Sequence, residues 1–142
     1  MTFLIMANHE RTVTVLSWLL GGFNTATWQK VGMVLRAETP ADVLDRMVKD
    51  APKEDFYLLR LISEHPKVSS KTLARLSRHV YPAIRENVAR HPNADSGTLQ
   101  RLSLDRTQPL WYLVAFNPNT PPALKRKLQA RMRKLGQGAD SK

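Results

Sequence analysis

The stretch from His65 to Leu128 repeats at a constant spacing, which limits the available folds more than any other feature of the chain. His65-Pro66-Lys67-Val68-Ser69-Ser70-Lys71-Thr72-Leu73 returns 26 positions later as His91-Pro92-Asn93-Ala94-Asp95-Ser96-Gly97-Thr98-Leu99. After a further 26 positions it returns as Asn117-Pro118-Asn119-Thr120-Pro121-Pro122-Ala123-Leu124. A fixed period between about 20 and 50 residues marks a solenoid, in which each unit needs its neighbours to bury its apolar face. A degenerate copy begins near Thr39, where Leu44, Arg46, Met47 and Asp50 align with Leu99, Arg101, Leu102 and Asp105 at an offset of 55.

Two short helices are expected in each unit. The first carries the apolar pairs Leu73/Leu76, Leu99/Leu102 and Leu124/Leu128; the second carries Leu58/Ile62, Ile84/Val88 and Leu110/Val114 at helical spacing. Pro82 and Pro109 stand near second-helix starts, where a missing N–H costs little. The His-Pro or Asn-Pro pair ends each second helix, because the residue before proline is pushed out of the helical region. Thr39-Pro40 and Thr120-Pro121 read as N-cap followed by first-turn proline. In the degenerate copy, Val43, Leu44, Met47 and Val48 form an apolar stripe. The final helix is expected to end near Leu135, leaving residues 136–142 as a polar tail.

Residues 1–38 are expected to cap the open end of the stack. One helix would end at Gly21-Gly22, and another would run from Thr25 or Thr27 to Arg36. Val13 to Leu20 has the length of a signal-peptide core. The segment before it is apolar rather than basic and contains Glu10, and no small-x-small cleavage site follows cleanly. A retained helix is therefore expected in place of an export signal. Neither apolar patch approaches the roughly 20 residues of a membrane span.

Asn117-Pro118-Asn119-Thr120-Pro121-Pro122 with its following leucines, and Ile84-Arg85-Glu86-Asn87-Val88-Ala89-Arg90-His91-Pro92, resemble the bacterial variant leucine-rich repeat family. The resemblance covers about residues 39–128 and implies a right-handed superhelical array pairing an α-helix with a shorter, often 3₁₀, helix. It also implies an interaction scaffold. The chain looks similar to HEAT-type repeats as well, which include a DNA glycosylase family. The best-known variant-repeat form carries a Cys-ligated iron–sulfur module, and this chain has no Cys. That cofactor is excluded, together with disulfides and Cys-based zinc sites. The absence of Cys fits a reducing compartment, and a cytoplasmic protein is expected.

The net charge is +10, and its distribution is uneven: residues 1–50 hold five Lys/Arg and five acids, so the whole excess lies beyond them. Such asymmetry points to an acidic partner, whether nucleic acid, protein or anionic membrane, or to solubility alone. Arg46, Arg75, Arg101 and Lys127 share the repeat position before the second apolar anchor and should form a ladder. Lys71, Arg78, Lys125 and Arg131 lie one turn away and would widen it. A regular pitch of cations suits a polyanion, either phosphates or an acidic helix.

Trp111 and Tyr112 replace Arg85 and Glu86 of the preceding unit, and Phe116 replaces Arg90. These aromatics read as a binding hot spot beside Arg, as a stacking platform for bases, or as packing against the last helix, and Arg85, Trp111 and Tyr112 join the ladder as partner-binding candidates. His65, His91 and Asn117 share a position that reads as structural capping, with no metal site expected. No phosphate loop, H-E-x-x-H helix or G-x-S-x-G elbow is present, and the acids are scattered.

The expectation is therefore an all-α, short right-handed α-solenoid with an N-terminal helical cap, non-enzymatic and without cofactor. Its partner would be an acidic protein surface in preference to a nucleic acid backbone. A glycosylase-like scaffold is the remote alternative.

Overall fold

Apolar spacings of three and four residues produce helices throughout. The computed structural model describes residues 25–139, and within them there are eight helices and no strand. These are α1 (Thr25–Val34), α2 (Ala41–Asp50), α3 (Phe56–Glu64), α4 (Ser70–Leu76), α5 (Pro82–Arg90), α6 (Ser96–Leu102), α7 (Trp111–Phe116) and α8 (Pro122–Ala139). The chain is all-α over this range. The helix expected to end at Gly21-Gly22 lies outside the described residues. No described helix is long and apolar enough to cross a membrane.

Packing follows chain order. The odd-numbered helices form one succession, α1 on α3, α3 on α5 and α5 on α7, while α2 packs on α4 and each helix also meets its immediate successor in the central part of the chain. The core is a single strip of apolar side chains. Leu58, Ile62, Leu73, Leu76, Ile84, Val88, Leu99, Leu102, Leu110 and Val114, the anchors read from the period, are all essentially inaccessible. Leu128 is buried, whereas Leu124 is only partly so and packs against the edge of the strip.

The caps explain how successive helix pairs hold together. Each odd helix from α3 to α7 ends on the residue before proline, His65, His91 or Asn117, with ψ of 130–134°. The side chain of that residue then works in two directions. Nδ1 of His91 accepts from Asn93 N–H at 3.0 Å, so Nε2 carries the proton and donates to the carbonyl of His65 at 3.1 Å. His65 does the same with Lys67 N–H and the carbonyl of Arg36. Asn117 reproduces both contacts, accepting from Asn119 N–H and donating to the carbonyls of Ala89 and His91. The amides of Asn93 and Asn119 reach back in parallel to the carbonyls of Val68 and Ala94. Backbone carbonyls at these helix ends lack helical partners and would otherwise be left unsatisfied.

This capping has a pH consequence. His91 is only 6% exposed. Burial holds its imidazole below the ordinary value of 6.5, and the neighbouring His65 adds to that, against a bond to the His65 carbonyl that raises it. The folded protein thus takes up a proton on His91 at a lower pH than the unfolded chain, which does so near pH 6.5. Stability from this group is complete above that pH and declines as pH falls below it. Denaturant titrations at pH about 7.5 and about 5 should show the loss, and His91→Asn, following Asn117, should reduce it. An unchanged pH dependence in His91→Asn would contradict the assignment.

Three expectations need correction. Thr39 and Thr120 do not cap the helices that follow them; their hydroxyls turn back and donate to the carbonyls of Met33 and Val114, six residues earlier, both at 2.5 Å. Those carbonyls sit at helix ends and compete successfully for a short hydroxyl. The last helix also runs past Leu135 to Ala139. Glycine within a helix costs only about 1 kcal/mol relative to alanine and does not stop it. Finally, Arg85 is buried, as described next.

Candidate binding groove

The four ladder positions have different fates, and for Arg75 and Arg101 these go with the residue that ends the preceding even helix. These C-terminal positions are Ala51 for α2, Ser77 for α4 and Ser103 for α6. Arg101 folds back onto the end of α4, where its guanidinium donates to the hydroxyl of Ser77 at 2.5 Å and the carbonyl of Ala74 at 3.3 Å. Arg75 faces the end of α2, where Ala51 offers no hydroxyl. Its side chain is exposed and makes no hydrogen bond or ion pair among the described residues. Arg46 pairs along its own helix with Asp42 at 3.0 Å, both side chains being well exposed. Lys127 is exposed on α8. The ladder is therefore divided into one stitch, one local pair and two free cations.

Arg85 stands at the opposite extreme. It is 7% exposed and all its nitrogens are engaged. Nε donates to Asp105 Oδ2 at 2.7 Å, Nη1 to the carbonyls of His79 and Val80, and Nη2 to Thr107 Oγ1. Asp105 in turn accepts from the N–H groups of Thr107 and Gln108 and from the Thr107 hydroxyl. Burial alone would raise the pKa of Asp105, but the bonds from Thr107 and Arg85 outweigh it and the net shift is downward. Arg85 thus joins the α4–α5 loop to the α6–α7 loop, and its guanidinium is buried between them rather than presented to a partner.

Of the aromatics, Trp111 is half-buried and packs against the core, with Arg131 of α8 over its ring at 4.5 Å. The ring face that could have stacked on a ligand is occupied. Tyr112 meets Trp111 edge-on and is 38% exposed, and Phe116 is 75% exposed.

A concave site forms where Arg75 is left free. A groove of about 640 Å³ opens between α2, α4 and the loop after α4. Its rim carries Lys49, Lys53, Lys71, Arg75, Arg78 and His79, and no Asp or Glu lines it. Its apolar surface comes from Val48, Ala51, Leu59, Ala74, Leu76 and Val80. Two local features create it. α2 has ten residues where α4 and α6 have seven, so its last turn projects beyond its neighbour. Small side chains at Ala51 and Ala74 then leave the space between the two helix ends empty.

The cations of the rim differ in availability. Lys49 is held by Asp45 at 2.8 Å. That bond is the main reason the Asp45 carboxyl lies below its usual range, with Thr72 and the charge of Lys71 assisting. Burial holds His79 below its ordinary value, with the charges of Arg85 and Lys53 acting the same way, against a hydrogen bond to the Lys53 backbone and the charge of Glu54. Lys53, Lys71, Arg75 and Arg78 form no ion pair among the described residues. The period indicated Lys71, Arg75 and Arg78, but Lys53, His79 and Val80 sit in connecting loops and escaped it. The signal that could have found them is the offset of 29 between Leu44 and Leu73, three more than the 26 elsewhere.

No protein-family model, curated protein or solved structure matches this chain.

Proposed function

We propose that this protein is a non-enzymatic interaction module built as a short right-handed α-solenoid of the variant leucine-rich repeat type, and that its basic face engages an acidic protein. The 26-residue period and the packing of each helix on its chain neighbours support the architecture. The function rests on one observation: four cations without ion-pair partners converge on a concave surface that no carboxylate lines. Like charges gathered in this way raise the local concentration of an anionic partner. Mixed polar and apolar lining favours a protein segment over a bare phosphate chain, which offers nothing to apolar walls.

A second reading has its own observation. From Arg106 to Ala139 the chain has seven Lys/Arg and no acid. Tyr112 and Phe116 are exposed on α7, which packs against α8. Cations beside open aromatic rings suit a single-stranded nucleic acid.

One titration series separates the readings. Short Glu/Asp-rich peptides, a single-stranded oligonucleotide and a duplex are titrated against wild type and Lys71→Gln/Arg75→Gln/Arg78→Gln over a range of salt. The expected result is peptide binding with modest salt dependence, lost in the triple variant at unchanged helicity, since Gln is nearly as good a helix former. Preferred oligonucleotide binding, with a log–log salt slope of about 0.7 per contact on a single strand, would favour the second reading. Equal binding by wild type and triple variant would contradict the first.

A further inference from the structure

The groove differs from the rest of the basic face in having apolar walls, and the walls restrict what can occupy it. Its volume of about 640 Å³ is within the range of roughly 300–1,000 Å³ that accommodates a side-chain-sized or drug-sized group. Val80, at its lip, is 70% exposed. An exposed valine among lysines and arginines gains nothing from water and gains most from an apolar group laid against it. The apolar walls are aliphatic, and the one ring in the lining, His79, already stacks on Tyr81 at 5.3 Å. A nucleobase is held by stacking on aromatic faces, and the walls offer none. An aliphatic side chain needs only shape and dryness.

We propose that the groove receives an acidic segment of a partner protein carrying an aliphatic side chain between its carboxylates. The aliphatic group seats against Ala51, Ala74 and Val80, and the flanking carboxylates meet Arg75, Arg78 and Lys53. Guanidinium groups suit carboxylates because they can donate two parallel hydrogen bonds. Of the three helix ends Ala51, Ser77 and Ser103, the one beside the groove is the one without a hydroxyl. At the next junction the Ser77 hydroxyl draws Arg101 across the equivalent space. This inference rests on the preceding reading that the basic face meets an acidic protein.

Two synthetic peptides of equal Glu/Asp content test it, one with a central leucine and one with alanine in its place. Each is titrated by fluorescence anisotropy against wild type, Ala74→Leu and Val80→Ser. Wild type should bind the leucine peptide about tenfold more tightly. Ala74→Leu fills the groove at a helical position without changing charge, and Val80→Ser removes an apolar lip that is not part of the core. Each should abolish most of that preference while leaving the alanine peptide bound as before. Equal affinity of wild type for the two peptides, or a preference retained in both variants, would overturn the groove assignment and leave the basic-face reading intact. Failure of both peptides to bind wild type at low salt would overturn the basic-face reading itself. An oligothymidylate that binds wild type more tightly than either peptide, and is displaced by Ala74→Leu, would reassign the groove to a nucleotide.

Discussion

Replacing Arg85 by alanine should destabilise the protein by about 3–5 kcal/mol, the cost of breaking a buried ion pair by removing one partner. The substitution takes the counter-charge from Asp105, whose side chain is 12% exposed beside Arg85, and it also strips donors from the carbonyls of His79 and Val80 and from Thr107. Buried acceptors without donors are costly in themselves. Two loops that Arg85 ties together would be freed, so the loss should appear as a lowered midpoint in denaturant, and hydrogen exchange should quicken first at residues 77–81 and 103–109. A change below about 1 kcal/mol would mean that water replaces the guanidinium at no great cost and that the pair is not a structural joint.

Leu99→Ala should cost about 2–5 kcal/mol. Leu99 is fully inaccessible on α6, in the same strip as Leu73, Ile84 and Leu110. Removing its side chain leaves a void that helices packed on both sides cannot easily close. A domain of this size has about 5–15 kcal/mol of stability to lose. The check is equilibrium unfolding by circular dichroism, and a shift of only a degree or two in Tm would contradict the role of Leu99 as an anchor between successive helix pairs.

These two residues show what a repeated sequence discloses. Leu99 was legible because apolar burial follows a fixed helical spacing and recurs at 26 residues. His91 and Asn117 were legible for a similar reason: only a small set of side chains can both accept from a following N–H and donate to a preceding carbonyl. Arg85 was not, because a charged residue in a helix is read as solvent-facing unless its partner is known, and Asp105 lies 20 residues away in a loop. Two clues were present. Asp105 is the sole acid between Asp95 and Asp140, and Ala89, one turn after Arg85, is buried. The ladder was legible as a position and illegible as a surface, because whether its cation is free depends on local partners that the period does not carry: Arg101 meets the Ser77 hydroxyl, Arg46 meets Asp42, and Arg75 faces Ala51. Repeats conserve the frame, and departures from the period, such as the three extra residues of α2, create the groove.

That division of the ladder is the centre of the functional account, and a paired measurement on Arg75→Gln and Arg101→Gln tests it most directly. Each variant is melted by circular dichroism and titrated with the leucine-bearing acidic peptide. Arg75→Gln should melt as wild type and bind several-fold more weakly, because its guanidinium faces the groove and supports nothing within the fold. Arg101→Gln should melt lower, by the loss of about 1.5–3 kcal/mol for a charged hydrogen bond, and should bind as wild type at temperatures where it is folded. If the two variants lose binding equally with no difference in melting, the ladder is one continuous binding face and the distinction between stitch and free cation is wrong.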